Sequence, residues 1–282
     1  MNPSHRASDF RHSSTATLAN EPYAQPLLAA RGLALAYESG LAILQDVDIS
    51  LRSGEIVAVL GPSGVGKSSL LRVLAGLRKP ARGQIELEGV ALSRPHPQLA
   101  VAFQAPALLP WLTLEKNVAF GLDFKHQPEL SRTERQARID QAIEEVGLGA
   151  ARRLMPHELS GGMAQRAALA RCLARQPKIL FLDEPFGALD EITRESMQDL
   201  LLKVVRDYQA AALLITHDID EALRVADRII LLGGRPANTL GEWLIDLPHP
   251  RDDFIAEQGA IRIQILSALR QAQLTGQPIP SL

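Results

Sequence analysis

Apolar positions along this chain follow two rhythms. Short alternating stretches at residues 33–37, 47–51 and 83–87 predict half-buried antiparallel strands. Ile56–Leu60 is apolar throughout, as a strand covered on both faces is. Further strands are predicted at 99–103, 179–182, 212–216 and 228–232, with helices at 68–77, 193–207 and Ile219–Val225. From 114 to 174 the pattern is mostly helical, and Ile139, Ile143 and Val146 mark one stripe. A mixed β and α/β core therefore carries a helical insertion at about residues 105–174. Residues 254–273 predict a final amphipathic helix whose stripe, Ile261, Ile265 and Leu269, is read as ordinary packing. No internal repeat is evident.

Ile56–Leu60 runs directly into Gly61-Pro62-Ser63-Gly64-Val65-Gly66-Lys67-Ser68, which fits G-x-x-x-x-G-K-[ST]. Strand, glycine loop and helix is the context in which backbone N–H groups wrap phosphates. Lys67 is expected to reach the β- and γ-phosphates, and the Ser68 hydroxyl to ligate Mg²⁺. Much later, Ser160-Gly161-Gly162 again sets a hydroxyl and small residues at the start of a helical pattern, where free N–H groups favour an anion. A phosphate loop needs no such second segment, so the pair points to a dimer that closes over nucleotide.

The strand at 179–182 ends in Asp183-Glu184. Mg²⁺ takes hard oxygen ligands and keeps water, so Asp183 suffices as its carboxylate and Glu184 is left to polarise the attacking water. His217, after the strand at 212–216, is placed to hold the γ-phosphate and that water; a lone histidine there is otherwise structural or merely exposed. Gln104, also at a strand end, completes the Mg²⁺ or water shell or is a surface amide. Tyr37 either stacks on a base or belongs to the core.

Composition narrows the field. The 282 residues are 46% hydrophobic and 22% charged, with a net charge of −2, so no global basic field points to nucleic acid. The single cysteine, Cys172, allows no intrachain disulfide and fits a reducing compartment. Apolar runs such as 210–215 and 229–232 fall far short of the roughly 18 residues of a membrane span. Residues 1–25 are polar and broken by prolines, without the apolar stretch of a secretion signal. The expectation is a soluble cytosolic protein with a flexible tail at 1–26.

Tyr37, Gly61–Ser68, Gln104, the run 159–166, the strand ending at Asp183-Glu184, Ala188-Leu189-Asp190 and His217 stand in the order and approximate spacing of ABC ATPase subunits, which this chain resembles over roughly residues 27–250. The resemblance implies an α/β P-loop NTPase of the ABC ATPase type: a mixed sheet core with an antiparallel β subdomain and a helical signature subdomain, then a C-terminal helical extension at 251–282. It makes Tyr37 the adenine-side aromatic and Ser69 part of the nucleotide loop. Gln104 becomes the Q-loop, Ser160, Gly161 and Gly162 the signature, Asp190 the D-loop and His217 the switch. Lys67, Glu184 and His217 are then catalytic, and Ser68, Gln104 and Asp183 surround Mg²⁺. Ser69 stands where threonine is frequent, and Met163-Ala164 where a polar pair is usual. Neither removes a group the reaction needs.

One cassette without a long heptad insertion disfavours a soluble machine acting on nucleic acid or ribosomes, the alternative reading; intact Lys67, Asp183, Glu184 and His217 disfavour a mere signalling module. Finer stretches, Leu108-Leu109-Pro110-Trp111, Asn117-Val118-Ala119-Phe120-Gly121, the run from Glu184 to Asp190, Thr193-Arg194, the run from Thr216 to Ala222 and Asp246-Leu247-Pro248-His249-Pro250-Arg251, resemble the nitrate, sulfonate and taurine importer family. That resemblance implies ATP hydrolysis coupled to transport: a homodimer on the inner membrane face, docked on separate transmembrane permease subunits and served by an extracytoplasmic solute-binding protein. No nucleic acid is expected. The apolar segment 106–111 suits a docking groove for a membrane subunit; for Leu108 and Leu109 core packing serves equally.

Overall fold

A computed structural model describes residues 25–37, 39–124 and 126–275, so the predicted tail lies almost wholly outside the described residues. In chain order the elements begin with β1 (Leu28–Ala36), β2 (Ala42–Leu51), β3 (Ile56–Leu60), α1 (Lys67–Leu74), β4 (Arg82–Leu87), β5 (Val90–Ala91) and β6 (Leu99–Ala102). The helical region holds α2 (Leu114–Ala119), α3 (Arg132–Glu145) and α4 (Gly161–Leu173). There follow β7 (Ile179–Asp183), α5 (Glu191–Tyr208), β8 (Ala211–Ile215), α6 (Ile219–Val225), β9 (Arg228–Gly234), β10 (Ala237–Leu244) and α7 (Ile255–Thr275).

These strands form one sheet in the order β5-β4-β1-β2-β10-β9-β3-β8-β7-β6. The last five are parallel neighbours, and β1, β2, β4 and β5 make the antiparallel end. Strands β3, β7 and β8 are buried at every position because both sheet faces are covered. Their side chains divide by parity: Ile56, Ala58 and Leu60 join the cluster under the helices, while Val57 and Val59 join the cluster behind the antiparallel strands. The same alternation runs through β7 and β8, so two cores share one central sheet.

Several boundaries differ from the sequence expectation. Strand β1 starts at Leu28 rather than 33, through an irregularity of pairing between Ala30 and Leu33 that breaks the alternation. Helix α1 stops at Leu74 rather than 77, turned by Gly76 at φ +71°. The region 114–174 is less helical than its pattern, with an irregular stretch between α2 and α3. Strand β10 had no apolar run to announce it. It is buried only at Ala237, pairs with β9 across a bulge between Thr239 and Gly241, and touches β2 at Ala237. Among the described residues no helix is long and apolar enough to cross a membrane.

Candidate functional site

Register brings the chemistry to one edge. Ala102 lies beside Leu182, Asp183 beside Ile215, and Val59 beside Ile215. The residues just past these carboxyl ends are Gln104, Glu184, His217 and the glycine loop after Leu60, at the strand ends where open α/β sheets bind their ligands.

The loop leaves its helix open. Helix α1 begins at Gly66, at φ +110°, with no side-chain cap. A Cβ on Gly66 would stand 2.6 Å from Ile43 Cγ2, so this left-handed turn has room only for glycine. Lys67 is buried and curls back, donating to Gly61 O at 2.8 Å and Pro62 O at 3.1 Å. Burial lowers its pKa, opposed by the negative charges of Glu184 and Asp183. A buried ammonium whose hydrogen bonds among the described residues go to carbonyls, beside uncapped N–H groups, is a fit for phosphate oxygens.

Ser68 Oγ donates to Asp183 Oδ1 at 3.0 Å, joining the two hard oxygen donors. Burial raises the Asp183 pKa, aided by neighbouring Glu184 and opposed by the Ser68 hydrogen bond and by Arg72 and Lys67. A buried carboxylate joined to a hydroxyl is a hard-oxygen donor set that suits Mg²⁺. Glu184 occupies left-handed backbone at φ +47°, unusual for a residue with a side chain, and its N–H donates to Ile215 O at 2.9 Å. That turn aims its carboxylate between two partners: Gln104 Nε2 donates to Oε2 at 3.3 Å, and His217 Nδ1 lies 3.3 Å from Oε1.

The remaining expected residues lie around this group. Tyr37, at the end of β1, is about half exposed (52%), free to offer a ring face rather than packed in the core. Ser160 caps α4, its Oγ accepting from Met163 N–H at 3.2 Å. A Cβ on Gly162 would meet Thr193 Cγ2 at 2.5 Å, so α4 packs on the start of α5 through this glycine. Asp190 caps α5, accepting from Thr193 N–H at 3.0 Å and from Thr193 Oγ1 at 2.7 Å. Helix α1 packs on β1, β7 and β8, whereas α4 packs on α2, α3, α5 and β6. The two glycine segments thus belong to different layers of one chain.

Sequence reasoning gave no role to Gln165. It is buried on α4 and donates Nε2–H to Gln104 O at 2.9 Å, tying α4 to the glutamine that touches Glu184. An amide in an otherwise small and apolar helix interior was the available signal. Asn117, fully buried, fastens the segment before α2: it accepts from Leu109 N–H at 2.7 Å and donates to Leu109 O and Leu112 O. Arg171 of α4 donates to Pro106 O and Ala107 O. On this pinned loop Leu108 packs against the core, while Trp111 is 70% exposed.

Comparison with known proteins gives concordant results. The ABC transporter family model matches residues 44–187. The aliphatic sulfonates import ATP-binding protein SsuB 2 of Burkholderia lata is 45% identical over 231 residues, 82% of this chain and 82% of that protein. The nitrate import ATP-binding protein NrtC of Synechococcus elongatus is 46% identical over 209 residues, 74% of this chain and 32% of that longer protein. Among solved structures, a dimeric post-hydrolysis state of the ATP-binding cassette MJ0796 bound to ADP and Pi superposes with a TM-score of 0.68 at 30% identity, covering 78% of this chain and all of that one. CbiO1 from Clostridium perfringens, part of an ABC transporter complex, gives 0.72 at 26% identity, over 89% of this chain and 98% of that one. Likeness that extends so far beyond the phosphate loop is likeness of the whole cassette, and the chain belongs to the ABC transporter family as an ATP-binding protein.

Proposed function

We propose that this chain is the ATP-hydrolysing subunit of an importer for a small oxyanion, with the reaction run from the sheet edge at Glu184. The observation that carries the hydrolytic role is the Glu184 carboxylate held between Gln104 and His217, 3.3 Å from each, next to the Ser68–Asp183 pair. Glu184 accepts a proton from the attacking water, and His217 holds that water and the γ-phosphate in line. Lys67, released from its two carbonyls, binds phosphate oxygens, and the loop from Gly61 to Ser69 wraps them with backbone N–H groups. Mg²⁺, held by Ser68 and Asp183 with Gln104 alongside, supplies charge neutralisation when bound. Tyr37 stacks on the adenine. Ser160, Gly161 and Gly162 of one copy cap the phosphates on the other copy's Lys67, with Asp190 at the seam; dimeric cassettes among the structural relatives support this reading.

The partner is a separate permease, and the segment 106–111 is the contact we assign to it. Its backbone is pinned by Asn117 and Arg171, its Trp111 ring faces solvent, and Leu112 leads into a cleft of about 550 Å³ shared with Phe120 and Phe124. A pinned loop that presents an exposed indole beside a cleft of mixed apolar and charged lining suits a docking surface. Trp111→Glu should lower coupled uptake while basal ATPase persists, because it would bury a charge without a partner. An extracytoplasmic solute-binding protein completes the system, and the chain works on the inner face of the membrane. Residues 27–250 act as the ATPase unit, with α7, in the extension at 251–282, packed on β9, β10 and α6.

Relatives named for sulfonate and nitrate import support a small oxyanion as cargo, with taurine in the same chemical class. They lend nothing to the alternative of a machine acting on nucleic acid. Growth of a deletion strain on alkanesulfonate or taurine as sulfur source and on nitrate as nitrogen source tests the assignment. A defect on one source names the cargo; normal growth on all, with no membrane-associated pool of the protein, overturns it.

A further inference from the structure

His217 sits between β8 and α6, and the residues that fix that connection reach across to the turn preceding α5. Thr216, 1% exposed, donates Oγ1–H to Glu221 Oε2 at 2.6 Å and accepts from Asp218 N–H at 3.0 Å. The hydroxyl of one neighbour of His217 therefore holds the backbone of the other and ties both to Glu221. Glu221 is itself buried in the first turn of α6. Its other oxygen, Oε1, faces Arg194 Nε at 3.6 Å. Arg194 donates Nη2–H to Leu189 O at 3.1 Å and Nη1–H to Glu191 Oε2 at 3.0 Å. Leu189 precedes Asp190, so one line of contacts runs from the Asp190 turn to the His217 turn.

One joint in that line is slack. Arg194 Nε is buried without a hydrogen-bond partner among the described residues, and its 3.6 Å approach to Glu221 is an ion-pair distance beyond hydrogen-bond reach. A buried N–H left without an acceptor is costly, so Arg194 Nε retains an unused preference for an acceptor such as Glu221 Oε1. Burial raises the Glu221 pKa; the Thr216 hydrogen bond and the Arg194 charge oppose that. Motion of Arg194 thus acts on the carboxylate that Thr216 holds.

We propose that Arg194, Glu221 and Thr216 are positioning residues that set the His217 imidazole against Glu184 according to the placement of the Asp190 turn. This rests on the role given to His217 above. The turn bearing Asp190 lies at the seam of the proposed dimer, so the relay would report closure to the water-holding histidine.

The test is steady-state ATPase kinetics on the full chain. Thr216→Val, Glu221→Gln and Arg194→Met should each lower kcat on the order of tenfold, the scale of coupled buried pairs, with KM for ATP little changed. Thr216→Ser keeps the hydroxyl and should keep the wild-type kcat. The double variant Arg194→Met/Glu221→Gln should be no slower than its slower single, because the residues act as a unit. A fully active Thr216→Val, a double loss equal to the product of the singles, or a KM that rises as kcat falls would overturn the relay. Thr216→Val is near-isosteric and Thr216→Ser loses one methyl, so this pair decides the matter even where Arg194→Met unfolds. His217→Ala separates the two readings: if it leaves turnover intact the histidine role fails, whereas if it is slow and the relay variants are fast the relay alone fails.

Discussion

Two helices in this chain begin at glycine-rich segments, and they begin differently. Helix α1 starts from a left-handed glycine with no side-chain cap, beside a buried ammonium that has turned inward to carbonyls. Helix α4 starts from Ser160, whose hydroxyl satisfies Met163 N–H. The first end is unfinished in the folded chain; the second is finished by its own cap and still exposed. Every group expected to handle protons or metal, Ser68, Gln104, Asp183, Glu184 and His217, accompanies the first. The second has none. An unfinished end with chemistry and a finished end without it make sense as complementary halves supplied by two copies.

The sharpest blow to that division falls on Glu184. Replacing it with glutamine preserves volume and the Gln104 contact but removes the proton acceptor, so turnover should fall by about a hundredfold or more. ATP binding should persist, since Lys67 and the loop are untouched, and an ATP-trapped dimer should accumulate on size exclusion with light scattering. Near-normal phosphate release from this variant would return the base to another group.

Next in size is a mixing experiment. Lys67→Ala damages only the unfinished end and Ser160→Arg only the finished one, so each variant alone assembles two sites with one defect apiece. In a mixed dimer both defects fall in one site, and the other site is whole. Mixing the two inactive proteins should therefore restore ATP hydrolysis that neither shows separately. Persistent inactivity of a mixture that demonstrably forms heterodimers would contradict sites shared between copies.

Much of the first half was legible because apolar strands that end abruptly in polar residues leave a plain trace. Ile56–Leu60 before the glycine loop and the strand ending in Asp183-Glu184 needed no tertiary knowledge. Less could be read where packing decides. Strand β10 carries Asn238, Thr239, Gly241 and Glu242, and exists because β9 offers it an antiparallel edge. Thr216 and Glu221 lie in the run 216–222 that carries the importer resemblance, yet nothing in that run names their partners. Only burial beneath Arg194 turns them into a linked pair. Gln165 was silent for the same reason: its partner is a backbone carbonyl, Gln104 O, sixty-one residues away.

The smallest effect tests the cap itself. Ser160→Ala removes the acceptor for Met163 N–H and should cost about 1 kcal/mol of stability, as lost helix caps do. No comparable cap exists to be lost at α1, where Gly66 contributes none. Ser160→Asp carries an oxygen that still caps, and its charge favours the positive end of α4, so chemical denaturation should find it as stable as the parent. Yet that same charge would face the phosphates of the partner copy, and like charges repel there at short range. The aspartate variant should consequently fold normally and fail to dimerise on ATP, whereas the alanine variant should be less stable and still dimerise weakly. If the aspartate protein dimerised as readily as wild type, Ser160 would be a cap and nothing more, and the two helix starts would not meet.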